Sequence, residues 1–241
     1  MAQKAIIIGA STGIGRALAV EMSKAGYELG LSARSIEKLE TLCAELPGKA
    51  IPKKMDVTKI EEAQKQLEDL ISELGGMDII VLNAGTGNVN KTFAWESEKH
   101  VLDVNINGFC ALLNTAYHHF LTQKSGHIVS ISSIASLLPN PGSSVYNASK
   151  AFVSNYVQGI RLKLKRKKIP VYVTDIKPGF VETPLTEGNK GMFWISTAEK
   201  AAKQTLRAIQ KKKKLAYITK RWRIIAWIAK ILPDRLFYLV F

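Results

Sequence analysis

Lys4–Ala25, with the sequence KAIIIGASTGIGRALAVEMSKA, is the stretch that decides the fold of this chain. A short apolar run ends in Gly9, a glycine-rich turn follows, and apolar residues then recur at helical spacing from Ile14. The stretch therefore predicts a strand, a tight turn and a helix in direct succession.

Strands and helices keep alternating beyond this stretch. The further predicted strands are Tyr27–Ala33, Ala50–Met55, Asp78–Leu82, His127–Ile131, Val171–Ile176 and Leu215–Ile218, and the further helices are Ser35–Leu46, Thr58–Leu74, Glu96–Gln123 and Val145–Lys167. Because the strands are almost wholly apolar, we predict an α/β, doubly wound Rossmann fold with a mostly parallel seven-stranded sheet flanked by helices. A chain of 241 residues suits one such domain, residues 1–218, followed by a basic amphipathic C-terminal extension, residues 219–241.

The charge of the chain is strongly basic and unevenly distributed. The formal net charge is +14, and the segment from Arg207 to Phe241 supplies +9 of it through ten Lys or Arg residues and one Asp. Such a balance is compatible with nucleic acid, an anionic membrane or an anionic ligand. Cys43 and Cys110 lack metal-ligand spacing, and Met1 leads almost directly into a strand without a signal peptide, which indicates a reducing, cytoplasmic compartment.

The glycine-rich turn is a candidate phosphate site. Glycines at a strand-to-helix turn let the backbone approach a pyrophosphate, whose charge the helix N-terminus stabilises. The spacing is G-x-x-x-G-x-G, which departs from the generic G-x-G-x-x-G, and a turn needed only for packing is the alternative. The predicted dinucleotide contacts in the turn are Gly9, Ser11, Thr12, Gly13, Ile14 and Gly15.

The end of the second strand bears on which dinucleotide is bound. An NAD site places a carboxylate there, about 20 residues after the glycines, to hold the ribose hydroxyls. This chain has Ser32, Ala33 and Arg34 instead, and a guanidinium suits a 2′-phosphate. We therefore predict NADP(H) rather than NAD(H), while Arg16 either assists or is a solvated helix residue.

Tyr146 and Lys150 form a candidate catalytic pair. On a helix, residues four apart lie on one face about one turn apart. A phenol has an ordinary pKa of about 10, and a cation within about 4–6 Å lowers it. We expect Lys150 to lower the pKa of Tyr146, although such a pair also occurs in helices for structural reasons alone.

Several motifs in one order connect these features. Asn83–Gly85, with the sequence NAG, follows the fourth strand, and Ser133 lies thirteen residues before Tyr146. With the glycine turn, they make residues 4–200 resemble the classical short-chain dehydrogenase/reductase family. The spacing of Tyr146 and Lys150 differs from that of the enoyl reductase branch, so carbonyl reduction or alcohol oxidation is expected.

The resemblance implies a role for each catalytic candidate. Tyr146 would exchange a proton with the substrate oxygen while hydride passes to or from the nicotinamide. Lys150 would bind the nicotinamide ribose and activate the phenol, and Ser133 would stabilise the substrate oxygen. Asn105 would hold a water for a proton relay, unless it only bends the helix.

The resemblance also implies further cofactor contacts and a quaternary structure. Besides the glycine turn, Arg34, Tyr146 and Lys150, the implied contacts are Asp56, Val57, Asn83, Ala84, Gly85, Pro178, Gly179, Val181 and Thr183. Asn83 could instead tie the central strands together. Family members usually pair through two helices, here Asn105–Leu121 and Tyr146–Leu164, so a homodimer or homotetramer is expected.

Two apolar segments could meet a substrate or a surface. Pro184–Trp194 takes the place of the family's substrate lid, where Met192, Phe193 and Trp194 would face an apolar substrate or anchor the loop. Lys220–Pro233 is amphipathic but too short and too charged to span a membrane. It suits the surface of an anionic membrane or a protein interface.

The sequence thus predicts an NADP(H)-dependent short-chain dehydrogenase/reductase that interconverts a carbonyl and a secondary alcohol on an apolar, lipid-, steroid- or ketone-like substrate. The alternatives are a non-catalytic dinucleotide-binding sensor and a basic protein that binds nucleic acid or a membrane surface on the same fold. A sensor would be expected to lack some of Ser133, Tyr146 and Lys150, and no nucleic-acid module is recognisable, so no nucleic-acid partner is predicted.

The sequence also allows predictions about metal binding and cellular location. His118 and His119 have no carboxylate or cysteine at ligand spacing, so no metal is predicted. The expected location is cytoplasmic, with peripheral contact to a membrane surface through the C-terminal helix as a further prediction.

Overall fold

The computed structural model describes residues 2–87, 89–189 and 191–231, and within them seven strands alternate with eight α-helices. The strands are β1 (Lys4–Ile8), β2 (Glu28–Ala33), β3 (Ala50–Lys54), β4 (Ile79–Leu82), β5 (Gly126–Ile131), β6 (Val171–Pro178) and β7 (Leu215–Ile218). The helices are α1 (Gly13–Lys24), α2 (Ile36–Glu45), α3 (Ile60–Leu74), α4 (Trp95–Leu102), α5 (Phe109–Gln123), α6 (Ser144–Arg166), α7 (Ala198–Gln210) and α8 (Trp222–Ile231).

The described strands form one sheet in the order β3-β2-β1-β4-β5-β6-β7. Every neighbouring pair is parallel, so the predicted doubly wound fold is confirmed and this sheet is wholly, rather than mostly, parallel. The strand order reverses between β1 and β4. A crevice opens at the carboxyl ends of strands at such a reversal, and ligands of this fold class bind there.

Apolar side chains fill both faces of the sheet, which explains why the strands read as unbroken apolar runs. In β1, Ile7 belongs to the cluster under α1, α2 and α7, whereas Ile6 and Ile8 belong to the cluster under α3, α5 and α6. Helix α7 has no counterpart among the predicted elements. It buries mostly small residues, such as Ala201 and Ala202, against the sheet and α1.

The long helix predicted over Glu96–Gln123 is divided. A π-helical turn, Asp103–Gly108, separates α4 from α5. Gly108 is required in this turn because a Cβ there would lie 2.4 Å from the carbonyl oxygen of Val57. The extra residue of the π-helical turn leaves Asn105 buried, with 2% of its surface exposed.

The predicted C-terminal helix is present as α8, although its predicted end at Pro233 lies outside the described residues, as does the rest of the extension, 232–241. Helix α8 packs against β7 and a short 3₁₀ turn, Ile134–Leu137. Trp222 and Ala226 are buried in this contact. A division of the chain after residue 218 stays a prediction. In the described ranges, no helix is long and apolar enough to cross a bilayer.

Candidate active site

The glycine turn between β1 and α1 is shaped by close backbone packing. Gly9 has a φ of 86°, and a Cβ on it would lie 2.8 Å from the Cα of Ala84. A Cβ on Gly15 would lie 2.1 Å from the carbonyl oxygen of Gly9. That oxygen also accepts a 2.7 Å hydrogen bond from Nδ2 of Asn83. Glycine is therefore needed at both positions, and Asn83 ties the turn to the end of β4.

The N-terminus of α1 carries the donor set that a phosphate group needs. The helix begins at Gly13, and Thr12 before it makes no side-chain capping hydrogen bond. The first turn contains no acidic residue. The first N–H groups of a helix lack intrahelical partners, and the positive end of the helix dipole favours an anion. The chemistry of this turn therefore fits a pyrophosphate.

One cleft of about 280 Å³ runs from the glycine turn to Tyr146 and Lys150. Of the predicted catalytic and cofactor residues, all line this cleft except Gly15 and Asn105, which lie behind its wall. Thr86 and His100 also line the cleft and were not singled out from the sequence, and Leu185 of the predicted lid segment lines it as well.

Arg34 lies exposed at the end of the cleft formed by β2 and β3. Its charge acts on Asp56, which follows β3. Burial raises the pKa of this carboxyl, but hydrogen bonds from the backbone and hydroxyl of Thr58, together with Arg34, lower it overall. Arg16 instead forms an exposed 2.5 Å ion pair with Glu45. Arg34 is thus the arginine that lines the cleft.

Tyr146, Lys150 and Ser133 meet at the opposite end of the cleft. Nζ of Lys150 lies 5.8 Å from the ring centroid of Tyr146 and donates a 3.1 Å hydrogen bond to the carbonyl oxygen of Ile131. Ser133, just before the 3₁₀ turn, makes a side-chain hydrogen bond with Tyr146 and accepts one from the backbone of Ala135 at 3.1 Å. A phenol, a hydroxyl and an ammonium therefore converge.

Burial dominates the electrostatics of this cluster. It raises the pKa of the Tyr146 phenol above 10.0, and the hydrogen bond with Ser133 opposes this only in part. Burial also lowers the pKa of the Lys150 ammonium to about 8, against the attraction of the Asp175 carboxylate. The pKa of Tyr146 is thus raised and not lowered as predicted from the sequence, because desolvation of the phenolate outweighs the hydrogen bond with Ser133.

Asn105 connects three parts of the site through its side chain. Its Nδ2 donates to the carbonyl oxygen of Thr86 at 2.8 Å and to Oγ of Ser149 at 2.9 Å. Its Oδ1 accepts from the backbone N–H of Thr86 at 2.8 Å. Ser149 in turn donates to the carbonyl oxygen of Tyr146 at 2.7 Å. These contacts brace the backbone around Tyr146, and a water held for a proton relay stays a prediction.

A buried charged network beneath the catalytic residues was missed from the sequence. Nζ of Lys177 lies 3.3 Å from Oδ2 of Asp175, and both side chains are at most 5% exposed. Oδ1 of Asp175 accepts a 2.5 Å hydrogen bond from Ser132, and Oδ2 accepts a 2.8 Å hydrogen bond from Ser154. Lys177 donates to Oγ of Ser136 at 2.5 Å. The network therefore anchors residues on both sides of Ser133. The sequence feature that could have indicated this network is the pair Asp175 and Lys177, two charged residues within the mostly apolar strand β6.

The segment after β6 closes the cleft against α8. Gly179 has no room for a side chain, because a Cβ there would lie 1.9 Å from Nε1 of Trp222. Val181 forms an isolated bridge with Ser196. Thr183 caps the short 3₁₀ turn that follows, Pro184–Thr186. The first turn of α8 is thus packed directly on the predicted nicotinamide segment.

Comparison with known proteins agrees with this arrangement. Residues 3–192 match the family model for short chain dehydrogenases. An uncharacterized oxidoreductase from Myxococcus xanthus is 34% identical over 190 residues, which cover 77% of this chain and 74% of the relative. The chain belongs to the short-chain dehydrogenase family.

Two further similarities place this short-chain dehydrogenase among its relatives. An uncharacterized oxidoreductase from Listeria monocytogenes is 36% identical over 187 residues, which cover 76% of this chain and 75% of the relative. A short-chain type dehydrogenase/reductase from Mycobacterium marinum has a similar structure, with a TM-score of 0.82, 26% identity, and coverage of 89% of this chain and 92% of that one.

The described part of this short-chain dehydrogenase also bears on metal binding. Among residues 2–87, 89–189 and 191–231, no three His, Cys, Asp or Glu side chains come close enough together to hold a metal ion.

Proposed function

We propose that the chain is an NADP(H)-dependent oxidoreductase that interconverts a carbonyl and a secondary alcohol, with Tyr146 as proton donor and acceptor. The observation that carries the proposal is the convergence of Tyr146, Ser133 and Lys150 in the same cleft as the glycine turn. A bound nicotinamide dinucleotide would supply or accept the hydride.

The residues of the chain would do the remaining chemistry. The hydroxyl of Ser133 donates a hydrogen bond to the substrate oxygen, and Tyr146 gives that oxygen its proton. A phenol with its ordinary pKa of about 10 already holds its proton at neutral pH, as a proton donor to a carbonyl must, and burial raises the pKa of Tyr146 further. Below its pKa of about 8, Lys150 is an ammonium that binds the ribose and favours the phenolate formed after transfer.

The preference for NADP(H) rests on Arg34. The guanidinium lies exposed in the cleft at the end of β2, where an NAD site would carry a carboxylate. A 2′-phosphate would gain charge-assisted hydrogen bonds there.

The substrate and the quaternary structure are proposed from exposed apolar side chains. Leu185 lines the cleft and is 40% exposed, which supports an apolar, lipid-, steroid- or ketone-like substrate. Lys190, in the same loop, lies outside the described residues. A homodimer or homotetramer that pairs through α5 and α6 is supported by Phe152 of α6, which stacks on Tyr156 at 5.3 Å and stays 36% exposed. A cytoplasmic location belongs to the same proposal.

The test of the mechanism is NADPH oxidation with a panel of lipophilic ketones. We expect Tyr146→Phe to lose about 10²–10⁴-fold in kcat, the range of general acid catalysis, while it still binds NADPH by fluorescence titration. Unchanged activity in this variant would reject the mechanism. NADPH binding without turnover of any ketone by the wild-type chain would favour the non-catalytic sensor.

The test of cofactor choice is Arg34→Ala, with Arg16→Ala as its matched control. Loss of one charge-assisted contact, about 1.5–3 kcal/mol, should lower the NADPH to NADH ratio of kcat/KM by roughly 10–150-fold. Arg16 pairs with Glu45, so its removal should leave the ratio unchanged. Equal ratios in wild type and Arg34→Ala would refute the role of Arg34.

A further inference from the structure

Exposed large apolar side chains gather around the mouth of the cleft. Among the described residues, fourteen large apolar side chains are exposed. Four of them are scattered elsewhere, and ten lie in three segments: Val89, Phe93, Trp95, Leu185, Phe193, Trp194, Ile195, Ile224, Trp227 and Ile228. Scattered apolar residues are ordinary on a surface, whereas a concentration of this kind marks an interaction site. We name these ten residues the mouth surface.

Sheet topology brings the three segments to one edge. They follow β4, β6 and β7, which are all parallel, so each segment leaves the carboxyl edge where the cleft opens. The segment after β4 starts beside the catalytic phenol, because a Cβ on Gly87 would lie 2.4 Å from the Tyr146 ring. The segment after β6 meets α8 directly, since Phe193 and Trp222 lie 5.1 Å apart by ring centroids. The mouth surface thus adjoins the proposed substrate entrance.

Helix α8 presents apolar residues on two opposite sides. Trp222 and Ala226 are buried against the domain, at 2% and 1% exposure. Trp227 is 67% exposed, Ile224 is 56% exposed and Ile228 is 41% exposed. The buried side of α8 is thus the side of Trp222 and Ala226, and Ile224 and Ile228 lie on the other side. Packing among the described residues therefore does not account for this outward apolar side.

Basic side chains accompany the mouth surface. Lys220, Arg221 and Arg223 are exposed at the start of α8, and the guanidinium of Arg221 lies 5.3 Å from the Trp194 ring centroid. The segments after β4 and β6 carry exposed carboxylates, Glu96, Glu182 and Glu187. The run Lys211–Lys214 does not belong here, because it precedes β7 and lies at the opposite, amino edge of the sheet. The positive charge is therefore concentrated at the start of α8, where it complements an anionic surface.

We propose that the mouth surface docks on an anionic lipid bilayer and that an apolar substrate enters the cleft from the lipid. Exposed Trp, Phe and Ile flanked by Lys and Arg have the composition of an interfacial anchor, in which aromatic rings lie at the headgroup level and cations meet anionic headgroups. The proposal of docking depends only on the composition and exposure of the mouth surface. The entry of substrate from lipid rests on the proposed function.

The test of docking is co-sedimentation of the full chain with vesicles. Vesicles of pure phosphatidylcholine are compared with vesicles of equal parts phosphatidylcholine and phosphatidylglycerol. We expect binding to the anionic vesicles that weakens with salt. The combined variant Ile224→Ser, Trp227→Ser and Ile228→Ser should weaken binding at least about tenfold, and Lys220→Gln with Arg223→Gln should weaken it by roughly tenfold or more on anionic vesicles only.

A matched control removes equally exposed apolar residues from elsewhere on the molecule. Leu162 and Leu215 are 54% and 40% exposed and lie toward the amino edge of the sheet, so Leu162→Ser with Leu215→Ser should leave vesicle binding unchanged. NADPH titration and circular dichroism confirm that each variant is folded. Equal loss in both variants, or no wild-type binding to either vesicle, would overturn the proposal. So would an α8 variant that dissociates an oligomer in ultracentrifugation yet binds vesicles normally, which would indicate a protein interface.

Entry from the lipid has its own readout. The α8 variant should keep wild-type kcat/KM on a water-soluble ketone and lose activity on a lipophilic ketone carried in anionic vesicles. Equal activity on the vesicle-borne ketone would reject entry from lipid. If no ketone is turned over by the wild type, the proposed function fails and the vesicle-binding result still decides docking.

Discussion

Replacing Lys177 by methionine removes one partner of the buried ion pair. The change leaves the Asp175 carboxylate, of which 5% is exposed, without its nearest cation. Breaking a buried pair in this way costs about 3–5 kcal/mol, because the remaining charge stays desolvated. Hydrogen bonds from Ser132 and Ser154 and the more distant Lys150 ammonium still stabilise the carboxylate, so we expect a loss of roughly 3 kcal/mol at the lower end of that range.

Urea and thermal denaturation measure this loss. At roughly 2–4 °C per kcal/mol for a domain of this size, Tm should fall by about 6–12 °C. The double variant Asp175→Leu with Lys177→Met should be more stable than the sum of its singles, since neither charge remains uncompensated. Lys24→Met is the control, because the Lys24 side chain is 63% exposed and lies 4.0 Å from Glu21, so this pair should contribute no more than about 1 kcal/mol. A Lys177→Met variant as stable as Lys24→Met would refute the reasoning.

Three other substitutions have expected outcomes. Gly15→Ala should weaken NADPH binding at least about tenfold, because its methyl group would lie 2.1 Å from the carbonyl oxygen of Gly9. The control Gly142→Ala, where contacts would be no closer than 3.4 Å, should bind NADPH normally. Equal affinity of the two variants in a fluorescence titration would contradict this. His127→Gln should make the protein less sensitive to acid. Burial lowers the pKa of His127 to about 4, so the stability that is present above pH 6.5 is lost as the pH falls toward 4, by about 2 kcal/mol at pH 5. A urea midpoint that depends equally on pH in both proteins would reject this prediction. Lys150→Met should inactivate the enzyme yet stabilise it at pH 7 by on the order of 1–3 kcal/mol. The buried ammonium has a pKa of about 8, so the free-energy cost of burying its charge disappears only as the pH rises from about 8 to 10.5. A lower Tm for the variant would contradict this.

Motif spacing was enough to predict the fold and most of the cleft. The three isoleucines before Gly9 predicted a buried strand, and the structure buries them on alternate faces of the sheet. Residues from distant motifs then meet because parallel strands end at one edge, which is why Arg34 and Lys150 line one cleft. Local pattern and topology therefore determine these positions together.

Features that depend on contacts through space could not be read from the sequence. The raised pKa of Tyr146 follows from burial, which i, i+4 spacing does not report. Helix α7 is different, because its buried residues, such as Ala202, Leu206 and Ile209, recur at helical spacing, so the sequence contained the signal for this helix although we did not predict it. The buried side of α8 is set by the fit of the Trp222 indole over Gly179 rather than by the positions of its isoleucines.

The contact between Trp222 and Gly179 also limits which substitutions these two positions can accept during evolution. A lineage that keeps the indole cannot accept a side chain at position 179, because a Cβ there would lie 1.9 Å from the indole nitrogen. A lineage that first replaces Trp222 by a small residue relaxes that steric constraint. Substitutions at the two positions should therefore arise in a fixed order, the C-terminal helix before the loop.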